Sequence, residues 1–373
     1  ALKLRVSYGT TGNQGFNTNT ASRMYSKDSW TYYNGQWMTV YGLMHNQNRD
    51  MKWEIKKEFD VGLDFSLFNR RLNGRMDYFS RKIEDAIYSG IPVASPPAVY
   101  ATSTVNIGDI TNKGFEFELN GRVVDTKDWT FDTSLVGSFV GKSRLEGMAK
   151  DTHMEFQAMP HGGGSAVRIF GGQEIGRYFL YRFAGVREED GTPMIYSKDN
   201  KVIPYASGTD EDRVQTGNGL PKAVLSWNNT VRYRNWDLNL FFRSWLGQDV
   251  YNVTDMIQGV NCKITEGQNL LRTAYRRNKA ITNTDRLMLL DYWLEKGDFL
   301  KLDAVTLGYT LPRNKIKYVE KLRCYFTVRN VCTLTGYSGL DPEVNVNGLA
   351  PGFEGMSQYP RTRSFILGIE IGF

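Results

Sequence analysis

Apolar and polar residues alternate along this chain with a period of two. Between residues 54 and 68 the odd positions Ile55, Phe59, Val61, Leu63, Phe65 and Leu67 are apolar, interrupted by Lys57, while Glu54, Lys56, Glu58, Asp60, Asp64 and Ser66 take even positions. A helix would scatter these residues around its circumference, whereas a strand sorts them onto two faces. The pattern returns at Leu72, Met76 and Tyr78, at Phe115, Phe117, Leu119 and Val123, at Ala223, Leu225, Trp227, Val231 and Tyr233, and at Trp236, Leu238, Leu240, Phe242 and Leu246. With less regular runs included, the sequence predicts twelve strands, beginning near Leu2, Glu54, Arg71, Lys113, Trp129, Ser165, Arg177, Lys222, Trp236, Phe299, Leu322 and Ser364.

The connections alternate between short and long. Residues 69–70, 125–128, 171–176, 234–235 and 312–321 are tight, and residues 9–53, 84–112, 142–164, 187–221, 248–297 and 331–363 are long. In an antiparallel meander every second connection returns to the same end, so all the long loops gather on one side. Loops of this length usually carry binding or gating work. One of them holds a candidate helix over 268–279, with Leu270, Leu271, Ala274 and Tyr275 on one face.

Composition narrows the classes. The 373 residues carry 46 Lys and Arg against 40 Asp and Glu, a net charge of +6 that is scattered rather than gathered in a patch, so a nucleic-acid partner is not expected. Eight Trp, 21 Tyr and 20 Phe supply too much large apolar surface for a disordered chain. No run approaches the roughly 20 apolar residues of a membrane helix. A mean hydropathy of −0.44 does not exclude a membrane β-barrel, whose strands average out. Cys262, Cys324 and Cys332 are an odd number at wide spacing and read as unpaired. The chain opens at Ala1 on a strand-like run with no leader, and the true N-terminus is expected elsewhere.

Alternating strands suit either a soluble sandwich or a membrane barrel. Three features favour the barrel. Several runs reach 12 to 15 residues, above the 9 to 11 or so that cross a bilayer. Aromatics such as Tyr78, Trp129, Tyr233, Trp236 and Tyr309 stand near strand ends, where an interfacial belt would lie. The chain finishes on alternating Phe365, Leu367, Ile369, Ile371 and Phe373, read as a barrel-closing last strand.

Longer stretches bring a family into view: LKLRVSYGTTGNQG at 2–15, WEIKKEFDVGLDFSLFNRRLNGRMDYFSRKIEDAI at 53–87, NIGDITNKGFEFELNGRVV at 106–124, FLKLDAVTLGYTLP at 299–312, CYFTVRNVCTLTGYSGLDPEV at 324–344 and YPRTRSFILGIEIGF at 359–373. In order and spacing they resemble the SusC/RagA-like TonB-dependent outer-membrane transporters of Bacteroidota. The resemblance implies an all-β fold, a transmembrane antiparallel β-barrel of which this chain holds the C-terminal portion, about 12 of 22 strands. It implies that the plug domain, the TonB-contacting segment and a carboxypeptidase-like domain have no counterpart here, so that residues 1–373 are barrel alone. The implied partners are a SusD-like surface lipoprotein acting as a lid, TonB through the missing part, outer-membrane lipid, and an oligosaccharide or oligopeptide solute. Residues 197–220 match only loosely.

No catalytic constellation emerges, and no enzyme activity, metal or cofactor is expected. His45, His153 and His161 are dispersed in loops, His161-Gly162-Gly163-Gly164 lacks a nucleophile turn, and Asp210, Glu211 and Asp212 read as a solvated turn. Trp30, Tyr32, Tyr33 and Trp37 are the candidate contacts to solute or lid, because aromatic rings combine apolar area with polar edges. Asp341, Pro342 and Glu343 match the family pattern and are expected to shape their loop. The expected function is active import of large nutrient oligomers, glycans ahead of peptides, against the alternatives of a passive porin and a soluble carbohydrate-binding sandwich.

Overall fold

The computed structural model describes residues 1–13, 19–93, 98–148, 153–159, 164–261, 267, 269–282, 288–312, 318–355 and 358–372. Ten strands form one continuous antiparallel wall in chain order: Leu2–Asn13, Glu54–Leu67, Leu72–Glu84, Asp109–Asp125, Trp129–Val140, Ala223–Tyr233, Trp236–Leu246, Phe299–Thr310, Lys321–Thr335 and Ser364–Gly372. The two further strands expected at Ser165 and Arg177 exist as Ser165–Phe170 and Tyr178–Val186, but they belong to a separate six-stranded sheet. The wall therefore holds ten strands where twelve were expected. Removing two consecutive strands leaves the parity unchanged, so the long connections still meet at one end.

Period two becomes two chemically opposite faces. Phe131, Val231, Leu238, Leu307, Phe326 and Leu367 stand side by side across six strands. On the opposite face Arg5 forks onto Asp64 at 2.9 Å and reaches Asp77 at 2.7 Å, two strands away. Gly62 lies between them, and a Cβ there would sit 2.2 Å from Asp77 Oδ1 and 2.5 Å from Arg5 Nη2. The arrangement repeats where Arg323 crosses Gly308 to reach Asp237 at 2.6 Å. Lipid accepts the first face and water the second.

At the short-turn end Trp129, Tyr233, Trp236 and Tyr309 are register neighbours across four strands, with rings 4.3 Å apart in the first pair and 4.8 Å in the last. They form the expected belt. Tyr78 does not join it, because it sits mid-strand opposite Val61 and Phe115.

The packed core lies above the wall, in the long loops. Three of them, 141–222, 247–298 and 336–363, interleave into the six-stranded sheet and a three-stranded one made of Leu294–Lys296, Asp249–Asn252 and Phe353–Glu354. Val167, Leu180, Tyr251, Leu290 and Trp293 are fully buried there. Tyr178 ties the loops together, its hydroxyl within 2.9 Å of the Asp249 carbonyl and 2.8 Å of the Gly352 carbonyl. Burial pushes that hydroxyl well above its ordinary pKa.

The helix expected over 268–279 is absent from its described residues. Only a 3₁₀ turn, Arg272–Tyr275, forms, because Arg276 leaves helical backbone (φ −122°, ψ −89°). Arg277 then turns inward to Asp255 at 2.7 Å and Glu295 at 3.2 Å. Position 268, Cys262 and Phe373 lie outside the described residues. Cys324 and Cys332 are free.

Candidate solute and lid surface

The first long loop rises as a two-stranded ribbon, Tyr25–Tyr33 paired with Gln36–Leu43. Asn34-Gly35 makes the turn with both residues at positive φ, 48° and 77°, the geometry that joins twisted strands in two residues. Trp30 pairs with Thr39 and Tyr32 with Trp37, and the Tyr32 and Trp37 rings meet edge to face at 5.4 Å. A bulge between Lys27 and Ser29 brings Lys27 and Tyr41 to the same face, where Lys27 Nζ lies 4.0 Å over the Trp30 ring. One face thus carries Trp30, Tyr32, Trp37 and Tyr41, each more than half exposed.

Of the four candidate residues, Trp30, Tyr32 and Trp37 share one face of the ribbon. Tyr33 pairs with Gln36 on the opposite face, because it is the last residue before the turn and alternation turns it away. Tyr41 belongs to the platform and was missed; the Asn-Gly turn, which fixes the register and hence the partner of each aromatic, is the signal that would have found it.

A groove of about 370 Å³ opens at the foot of the ribbon, against the Ile87–Pro92 and Thr102–Asn106 hairpin. Its lining includes Asn19, Thr20, His45, Ser89, Tyr100, Ser103 and Thr104, and no acid, lysine or arginine among the described residues. Asn46 fixes its shape. Its oxygen accepts from the Val99 and Tyr100 amides at 3.0 Å, and its amide donates to the Tyr100 and Thr102 carbonyls at 2.6 and 2.9 Å.

The Asp341-Pro342-Glu343 segment does more than shape its loop. Glu343 receives Arg243 at 2.9 Å and Lys301 at 2.9 Å, both from wall strands, and Arg361 at 2.9 Å from its own loop. Asp341 receives Arg361 at 2.8 Å, and the Pro342 carbonyl accepts from Gln248 at 3.0 Å. Lys301 is buried beneath this clasp. Burial alone would raise the Glu343 carboxyl, but the Arg243 and Lys301 hydrogen bonds outweigh it and hold it below the ordinary range. The wall-strand partners Arg243 and Lys301 lie 100 and 42 residues upstream, a pairing no local pattern could reveal.

Asp210 and Glu211 are exposed, as a solvated turn would have them, but Asp212 is buried and the acids are paired. Asp210 bridges Arg168 and Arg213, whose guanidinium groups lie 4.5 and 4.4 Å from the Phe179 ring. Asp212 is buried and accepts from the Thr209 and Lys198 amides at 2.8 Å, which holds its carboxyl below the ordinary range. The loop uses its acids to close on itself.

His45 meets the Ser22 carbonyl at 3.1 Å and His153 stands 3.6 Å from Glu155, while His161-Gly162-Gly163 lie outside the described residues. Among the described residues no group of three metal-capable side chains gathers. Phe365, Leu367, Ile369 and Ile371 project from the lipid side of the last strand, which pairs with Lys321–Thr335 on one edge. Among the described residues the other edge of that strand has no paired strand.

A family model described as TonB dependent receptor-like, beta-barrel matches residues 1–331. TonB-dependent receptor P3 of Formosa agariphila is 27% identical over 407 residues, covering 100% of this chain and 39% of the relative. TonB-dependent receptor SusC of Bacteroides thetaiotaomicron is 26% identical over 413 residues, covering 100% of this chain and 37% of the relative. Among solved structures, the RagAB peptide transporter superposes with a TM-score of 0.78 at 20% identity, over 100% of this chain and 41% of that chain. The chain spans about two fifths of the length of the curated relatives it matches.

Proposed function

The chain belongs to the TonB-dependent receptor β-barrel family, and from that premise we propose that it is the C-terminal sector of an outer-membrane active importer of the SusC/RagA type. The observation that carries this reading is the two-faced wall. Its apolar face runs unbroken from strand to strand and suits lipid, and its opposite face is matched ion pairs that suit water or a filled lumen. On this reading the ten strands are the last ten of a 22-stranded barrel. The plug, the segment that meets TonB and any further domain belong to the remaining three fifths of the whole protein.

A SusD-like surface lipoprotein is the proposed lid, and the long-loop end is where it would rest, with the Trp30, Tyr32, Trp37 and Tyr41 platform as a rigid aromatic contact. For the cargo, neutral oligosaccharides rank ahead of peptides. The groove at the foot of the ribbon offers hydroxyls and amides with no acid, lysine or arginine among the described residues, and the ribbon that borders it carries the stacking rings. A peptide with charged termini finds no counter-charge in that lining.

The test is purification of the intact protein from outer membranes together with whatever accompanies it. The expected species exceeds twice the 42.6 kDa of this chain and brings a lipoprotein with it. Cells carrying it take up a neutral oligosaccharide only while TonB is present. A polypeptide soluble without detergent sinks the transporter reading, and TonB-independent uptake returns it to a passive pore.

A further inference from the structure

We propose that the outer face of the wall binds the phosphate of a glycolipid in the leaflet at the long-loop end, through Lys57, Lys82 and Lys113. The inference rests on the barrel reading and extends it from lipid in general to one headgroup chemistry.

Lys57 interrupts an otherwise apolar row, and the register shows that it is not isolated. It pairs directly with Lys82 on the next strand. Lys113, one strand further, sits diagonally from Lys82, because Lys82 pairs with Thr111 and Lys113 with Ser80. Phe59 and Phe115 lie one step below Lys57 and Lys113 on the same face. The three ammonium groups therefore belong to the lipid side, away from the ion-paired face that a plug would meet. The Leu2–Asn13 strand separates them from the free edge of the sheet.

Their height is the second observation. Lys57 lies ten residues up its strand from Leu67, Lys82 ten from Leu72 and Lys113 twelve from Asp125. At about 3.3 Å per residue and a tilt near 40°, they stand about 25–30 Å above the short turns, at the upper border of an apolar band about 25 Å tall. Ten residues up the next four strands the same face carries Phe139, Ala223, Leu246 and Leu300. Only one sector of the border is basic among these strands.

Charge matching there is incomplete. Lys57 holds Glu84 at 2.7 Å and Lys82 holds Asp109 at 2.8 Å, and both acids stand higher on their strands than the lysines. Lys113 is exposed, and its ammonium has no ion-pair or hydrogen-bond partner among the described residues. Its flanking neighbours are Ser80 and Gly141, too small to cover it. Three bases against two acids leave one positive charge at the hydrocarbon border. Like charges directly opposite one another on a sheet repel, and an anion between them relieves the repulsion. A lipid phosphate reaches this depth with its chains continuing down over Phe59 and Phe115, which a free anion cannot do.

The test uses the full-length transporter in detergent, with bound lipid counted by native mass spectrometry. Monophosphoryl lipid A is compared with the same lipid stripped of its phosphate. The phosphorylated form is expected to bind at least tenfold tighter, and millimolar inorganic phosphate to leave it in place. Lys113→Glu is expected to erase the preference and Lys113→Arg to keep it. Heat-modifiable migration on gels verifies that each variant is folded. Equal binding of the two lipids, or a preference unchanged in Lys113→Glu, overturns the proposal, and displacement by inorganic phosphate overturns lipid as the occupant. Loss of self-association in Lys113→Glu with lipid preference intact assigns the patch to a second copy and overturns it as well. None of these results touches the importer reading, which is decided by the co-purifying lipoprotein and TonB-dependent uptake.

Discussion

In the wall Leu307 and Leu367 stand 46% and 79% exposed, whereas in the loop assembly above it Leu180 and Leu290 are fully buried. Both regions are β-sheet, yet one turns its apolar residues outward and the other folds them into a core. The wall draws stability from its hydrogen-bonded ladder, from lipid against one face and from ion pairs over the other. The loop assembly has no lipid to lean on and packs as a soluble domain does, with Tyr178, Tyr251 and Phe353 in mutual ring contact. The same substitution should therefore have opposite consequences in the two places.

The sharpest way to break this contrast is to empty the loop core. Trp293 is fully buried and meets Tyr292 edge to face at 4.8 Å, so Trp293→Ala is expected to cost the loop assembly about 3–5 kcal/mol. Limited proteolysis should then cut residues 141–222 and 247–298 while the wall stays intact. Loops as resistant as before would show that no separate core exists. Next in size is a charge on the lipid face: Val305→Arg, central in the lipid-facing row that ends at the Tyr309 belt, is expected to cost about 2–4 kcal/mol of folding into vesicles. If Val305→Arg inserts normally, that face does not meet lipid.

How far these regions could be read in advance follows the same divide. The strand at Glu54–Leu67 was legible because lipid enforces strict alternation and no bulge interrupts it. The strand at Phe299–Thr310 was less so: its lipid row runs Leu300, Leu302, then Val305, Leu307, because Asp303 shifts the parity. Ser165 and Arg177 began strands as expected, but alternation does not say which sheet a strand joins, and a loop sheet was counted as wall. The aromatic platform was three quarters legible and its fourth member hid behind an unread Asn-Gly turn. The clasp on Glu343 was not legible, since Arg243 and Lys301 come from distant strands.

Within the wall, glycine substitution separates the ion-pair contribution from the ladder. At Gly62 an added Cβ would displace Arg5 from Asp77, so Gly62→Ala is expected to cost about 1–3 kcal/mol by overpacking. Gly9, which has open space around it, should accept alanine with a far smaller shift in thermal unfolding. Equal shifts at the two positions would mean that the crossing pair contributes nothing.

The clasp joins the two regions, and acid should open it. Glu343 in the folded protein lies below its ordinary value of 4.5, held there by Arg243 and Lys301 with Arg361 and Asp341 beside them. A depressed carboxyl contributes stability that is complete above the unfolded value and is lost as pH falls through the folded one. Opening of residues 336–355, read as hydrogen exchange relative to the intrinsic rate at each pH, should therefore be flat from neutral pH down to about 4.5 and rise below it. In Glu343→Gln exchange should be faster at neutral pH and less dependent on acid. A rise that begins near pH 6 would place the switch on another group.

The smallest expected effect on stability falls on the ribbon, and there the contrast is at its clearest. Trp30, Tyr32, Trp37 and Tyr41 are exposed as the wall's leucines are, but they stand at the long-loop end, where water, a solute or a lid is the neighbour rather than lipid. Surface rings with so little packing around them change stability by less than about 0.5 kcal/mol when truncated. Trp30→Ala with Tyr41→Ala should leave unfolding and membrane insertion unchanged while weakening lipoprotein retention or neutral-oligosaccharide binding. Tyr33→Ala, on the opposite face of the same ribbon, should do neither. Should Tyr33→Ala match the platform variants, the ribbon acts through its fold and not through that face; should all three leave binding intact, the aromatics serve neither cargo nor lid.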